Sequence, residues 1–74
     1  MTHELDTCGL LCPLPVLKAR KRLISLSSGD VLRVLADDSA AWIDFPLFCK
    51  ENGHVLKEAQ ELENGTAVYL IEKA

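Results

Sequence analysis

Cys12-Pro13-Leu14-Pro15 seats a thiol at the start of a helix rather than inside one. A proline fits the first helical turn, where its missing N–H would have no intrahelical partner anyway. With Pro13 and Pro15 both in that turn, Cys12 falls at or beside the N-cap. Orphan N–H groups and roughly half a unit of positive charge gather there and favour thiolate over thiol. The spacing therefore predicts a Cys12 pKa below the usual thiol value near ~8.5. Lys18, Arg20, Lys21 and Arg22, bunched just after it, are expected to push the same way.

Upstream of this start, His3 to Thr7 reads as a short strand, and Gly9 permits a tight reversal before the cysteine. Downstream, Val16, Leu17, Ala19, Leu23, Ile24 and Leu26 recur at helical spacing and predict a helix from Pro13 to about Ser27. Ser27-Ser28-Gly29-Asp30 is a stop signal, with Gly29 expected at the C-cap. Asp30 to Ala36 reads as a buried strand. Asp37-Asp38-Ser39 supplies cap residues for a second helix that ends at Gly53, and Pro46 is expected to kink or divide it. His54–Leu62 and Thr66–Glu72 are strand candidates joined by the hairpin signal Asn64-Gly65. The order βαβαββ implies parallel pairing across each β–helix–β unit and a final antiparallel hairpin. The predicted fold is an α/β (α+β) two-layer sandwich, a four-stranded mixed sheet with two helices on one face, forming one domain over residues 1–74.

Composition narrows the setting. Three cysteines cannot all pair within one chain, which favours a reducing compartment. Met1-Thr2-His3-Glu4 opens no signal peptide, and no apolar run nears the ~20 residues that cross a bilayer, so a cytoplasmic location without membrane contact is expected. A net charge of −3 disfavours direct nucleic-acid binding, and an RNA-binding reading rests on analogy of fold alone. The bunched positive charge suits docking to an acidic protein partner.

Cys12 is the candidate nucleophile; the bland alternative is a small buried hydrophobe at a helix start. Cys8, four residues earlier, could close a reversible disulfide, act as a resolving thiol or contribute to a metal site. His3, Cys49 and His54 show no ligand spacing, so no metal and no cofactor is expected. Cys49 beside Phe48 is read as core, His54 as a polar helix-end residue, and Asp37 and Asp38 as helix caps. Arg20 falls within the apolar arc of its helix, where snorkelling and partner contact both explain it. Trp42 is left open between surface anchor and core.

Asp6-Thr7-Cys8-Gly9-Leu10-Leu11-Cys12-Pro13-Leu14-Pro15-Val16 resembles the Asp-x-x-Gly-Leu-x-Cys-Pro-x-Pro-Val signature of the TusA/SirA-like sulfur carriers. Gly29-Asp30, Ala36-Asp37-Asp38, Asp44 to Cys49 and Gly53-His54 extend the likeness over nearly the whole chain. The resemblance implies that Cys12 accepts a sulfane sulfur as a persulfide from a cysteine desulfurase or rhodanese and passes it to an acceptor protein. Gly9, Pro13 and Pro15 would shape that site, and Arg20 and Asp38 match positions the family uses for docking. Family endpoints include tRNA thiolation, molybdenum-cofactor maturation and sulfur oxidation. The chain departs from the pattern at Ile43, where the family often has Arg, and at Cys8, whose thiol would make a redox-responsive module the alternative function.

Overall fold

The computed structural model describes residues 2–74. Its elements run β1 (Thr2–Asp6), α1 (Leu14–Ile24), β2 (Val31–Ala36), α2 (Ala41–Asn52), β3 (Val55–Glu61) and β4 (Ala67–Glu72), with one turn of 3-10 helix at Glu63–Gly65. This is the βαβαββ order read from the sequence. The sheet order is β1-β2-β4-β3, with β1 and β2 parallel and β4 antiparallel to both of its neighbours. The first β–helix–β unit pairs its strands directly. The second does not, because β4 lies between β2 and β3. The hairpin explains this: Asn64 (φ 59°) and Gly65 (φ 77°) are both left-handed and Thr66 N–H donates to Glu63 O at 3.2 Å, so β4 folds straight back along β3. Its other edge then takes the open side of β2.

The core follows the period-two pattern of the strands. Leu32, Val34 and Ala36 of β2 and Ala67, Tyr69 and Ile71 of β4 are buried against Ala19 and Leu23 of α1 and Ala41, Phe45, Phe48 and Cys49 of α2. Tyr69 is its centre, stacked on Phe45 at 4.6 Å between centroids and met edge-on by Trp42 at 5.5 Å. Trp42 thus serves both expected roles, one edge on the core and the rest in solvent.

Three local expectations are corrected. The helix α1 stops at Ile24 with Ser25 as C-cap, and Lys73 Nζ donates to Leu26 O at 2.8 Å and Ile24 O at 3.4 Å beyond its end. Gly29 (φ 91°) serves instead in the Ser27–Asp30 turn, where Asp30 N–H donates to Ser27 O. Leu17 and Ile24, placed on the apolar arc by spacing, are exposed because the stripe that meets the sheet is only Pro15, Ala19 and Leu23 wide. Pro46 does not divide α2, which is continuous over Ala41–Asn52. The missing donor leaves the Trp42 carbonyl without its usual partner while the rest of the helix stays packed on Tyr69 and the core. Gly53, left-handed at φ 76°, caps α2 as expected.

Candidate functional site: a thiol loop held by two carboxylates

The loop between β1 and α1 is built from its first residue. Thr7 is buried and both its N–H (2.7 Å) and its hydroxyl (2.6 Å) donate to Leu35 O, which pins the end of β1 to β2. Cys8 N–H then donates to Asp6 Oδ1 at 2.9 Å, and Leu10 N–H closes a turn on Thr7 O at 3.2 Å. Gly9 occupies this turn at φ 85°, a conformation that L side chains rarely adopt. Leu14 N–H donates to Leu11 O at 2.8 Å, and the Cys12–Pro13 peptide is cis.

Two carboxylates from the loop after β2 complete the anchoring. Asp37 Oδ1 accepts the Gly9 N–H at 3.0 Å, and Asp38 Oδ2 accepts the Cys12 N–H at 2.5 Å. Asp38 Oδ1 accepts the Ala40 N–H at 3.3 Å, so one side chain joins the thiol loop to the approach of α2. This corrects the reading of Asp37 and Asp38 as helix caps. The N-cap of α2 is Ala40, which makes no side-chain capping bond; Asp37 Oδ1 and Asp38 Oδ2 accept across the fold, and Asp38 Oδ1 accepts locally from Ala40.

Cys12 is exposed, immediately before the N-cap Pro13, and the bland reading of a buried hydrophobe does not apply. Its thiol lines an open depression of about 210 Å³ with Pro13, Val16, Asp44, Leu47, Phe48 and Glu51. The expected lowering of its pKa is overturned. The Asp44 carboxylate in the same depression, desolvation, and the charge of Asp38 hold Cys12 above its ordinary value. The helix end offers little in return. Pro13 and Pro15 have no N–H, and Leu14 spends its own on Leu11 O. The basic cluster is no help either: Lys18, Lys21 and Arg22 line a separate depression with Leu5, and Arg22 Nη1 donates to Glu4 O.

The other candidates fall elsewhere. Cys8 is exposed on the same loop, and burial together with Asp6 and Asp37 raises its pKa. Cys49 is core, as expected, and burial pushes its thiol up to about 11. Arg20 is exposed and lines a depression with Leu23, Ile24, Asn52, His54 and Lys73, so its stem borders the core edge. His54 packs its ring 5.6 Å from Phe48, and its Nδ1 accepts the Ala74 N–H. Among the described residues no three His, Cys, Asp or Glu side chains converge as metal ligands, and no helix is long and apolar enough to cross a membrane. Asp44 escaped the sequence reading as a site residue, and so did the exposure of Leu11 (71 % exposed), Ile43 (72 %) and Leu47 (51 %), the last in the lining of the depression. A run of apolar positions on α2 carries no label that separates rim from core.

Known proteins share this arrangement. The sequence model of the family described as sulfurtransferase TusA matches residues 3–73. The sulfur carrier protein TusA of Allochromatium vinosum is 48% identical over 72 residues, 97% of this chain and 93% of that protein. A candidate sulfur carrier of Neisseria meningitidis serogroup A is 54% identical over 60 residues, 81% of each chain. The crystal structure of a SirA-like protein from Desulfitobacterium hafniense superposes with a TM-score of 0.85 at 30% identity, covering 97% of this chain and 96% of that one. The chain belongs to the TusA family of sulfur carriers.

Proposed function

We propose that Cys12 carries sulfane sulfur between two proteins as a persulfide. The observation that supports this most is the setting of the thiol. It is exposed in an open depression, fixed through its own backbone by Asp38, with exposed Leu47 in the lining and exposed Leu11 next to it in the chain. Among the described residues no imidazole lines that depression; His54 lines a different one beside Arg20 and Lys73. A thiol in an exposed depression, with no imidazole in its lining among the described residues, takes and gives a group under the control of its partners.

The exchange is written Cys12–SH + E–S–SH → Cys12–S–SH + E–SH. The Cys12 thiolate attacks the outer sulfur of the donor persulfide, the donor S–S bond breaks, and the donor thiolate leaves and takes up a proton. The sulfane sulfur changes hands with no net oxidation. Delivery repeats the step with an acceptor thiolate attacking the outer sulfur on Cys12. The donor would be a cysteine desulfurase or a rhodanese, and the acceptor a relay protein of tRNA thiolation, molybdenum-cofactor or sulfur metabolism, in the cytoplasm. Gly9, Pro13 and Pro15 would shape the loop, and Arg20 and Asp38 would contact the partners.

Incubation of the reduced protein with a cysteine desulfurase and L-cysteine tests this by intact mass. A one-sulfur gain in the wild type that is lost in Cys12→Ser is expected. A gain that persists in Cys12→Ser would overturn the assignment. A stable Cys8–Cys12 disulfide under reducing conditions would favour the redox-responsive alternative, for which the exposure of both thiols on one loop speaks.

A further inference from the structure

Among the described residues, the charged side chains that line the depression of the Cys12 thiol are acids. From α2 come Asp44 and Glu51, which line its depression; from the loop after β2 comes Asp38, bonded to its backbone. The side chain that α1 presents there is Val16, uncharged, and Arg20 one turn further on lines the depression with Asn52 and His54. Asp37 stands behind, on the Gly9 N–H. Asp44 shares the depression with the thiol. A carboxylate at this position stabilises S–H and repels S⁻.

We propose that Asp44 is a gate on Cys12: it holds down the thiolate fraction in the free protein, and a cationic side chain brought by the docking partner neutralises Asp44 and raises that fraction for attack. The inference rests on the reading of Cys12 as the sulfur-bearing residue and names the partner chemistry that reading requires. The partner surface is basic at its centre, to meet Asp44, Asp38 and Glu51, with an apolar contact beside it for Leu47. On docking, the Cys12 proton passes to solvent, the Asp44 carboxylate pairs with the cation, and the sulfur exchange written above follows. The raised pKa of Cys12 agrees with this arrangement. The device would protect an exposed thiol from stray electrophiles and oxidants between partners, because the thiolate is the species they attack.

The test is the rate of Cys12 alkylation by iodoacetamide against pH, in a Cys8→Ser background so that Cys12 is the exposed thiol that reports. Asp44→Asn, with Asp44→Ala as a second variant, is expected to move the midpoint of the profile down, making the reaction about threefold to tenfold faster at pH 7. Tetra-arginine at low salt is expected to accelerate the Asp44-containing protein, with 0.5 M salt abolishing the effect and Asp44→Asn showing little of it, at about the ionic strength where screening becomes strong. A profile that stays in place in both Asp44 variants would overturn the gate. So would a tetra-arginine response as large in Asp44→Asn as with Asp44 present. Alkylation needs no sulfur donor, so failure of sulfur loading at Cys12 would strike the carrier reading and leave this result standing.

Discussion

Asp38 Oδ2 holds the backbone N–H of Cys12 at 2.5 Å across 26 positions of sequence, and this contact joins the thiol loop to the entrance of α2. Asp37 does the same for Gly9 at 3.0 Å. The two carboxylates therefore replace the hydrogen bonds that a strand or helix would give this loop, and they set the position of the sulfur before any partner arrives.

Asp38→Ala removes the acceptor for Cys12 N–H and Ala40 N–H. A hydrogen bond to a charged acceptor is worth about 1.5–3 kcal/mol when buried, and this one is partly in solvent, so a loss of about 1 kcal/mol is expected in denaturant unfolding. Amide exchange at Cys12 should quicken more than exchange in β4. Unchanged exchange at Cys12 would show that the contact does not order the loop.

Gly9→Ala isolates the cost of the turn. A Cβ at Gly9 would meet no atom within 4 Å, so only the left-handed backbone (φ 85°) opposes it. Roughly 1 kcal/mol of destabilisation is expected by thermal unfolding. A cost near zero would mean that the loop relaxes to another turn.

Tyr69 Oη is buried without a hydrogen-bond partner among the described residues, and burial together with the charge of Asp38 lifts its pKa to about 12. Tyr69→Phe keeps the stack on Phe45 and removes the unpaired hydroxyl, so it should raise stability by about 1 kcal/mol. Phe45→Ala should instead cost about 3–5 kcal/mol, as removal of a core aromatic does. A higher Tm in the first and a lower one in the second are the expected readings; a destabilised Tyr69→Phe would reveal a partner for the hydroxyl.

His54 supplies a pH dependence of known sign. Burial and the charge of Lys73 lower its pKa in the folded protein. The unfolded chain therefore binds this proton more readily, and the stability is complete above the unfolded value near ~6.5 and falls as pH drops toward the folded one. Unfolding free energies compared between pH 7.5 and 5.5 should decline more steeply in the wild type than in His54→Gln. Equal slopes would contradict the shift.

What was legible in the sequence was governed by neighbours in sequence. Pro13 and Pro15 located the start of α1, Gly53 its counterpart at the end of α2, and Asn64-Gly65 the hairpin, because each needs only a local backbone geometry. Asp37 and Asp38 looked like caps by the same local logic, and the contacts that claim them lie on the far side of a strand and a helix. The charge state of Cys12 failed for that reason too. The helix start visible in sequence argued for a lowered pKa, whereas Asp44, one element layer away, raises it. Leu17 and Ile24 show a further limit: helical spacing marks an apolar arc but not how much of it the sheet covers.

The carrier reading is tested most directly on protein expressed in a bacterium, harvested without reductant and trapped with an alkylating agent. Cys8 and Cys12 precede the first tryptic site at Lys18, so fragment-ion mapping of that one peptide separates them. The account predicts an alkylated persulfide on Cys12, with Cys8 and Cys49 carrying the alkyl group alone or none. Persulfide on Cys8 with Cys12 unmodified, or a Cys8–Cys12 disulfide in place of any persulfide, would contradict it.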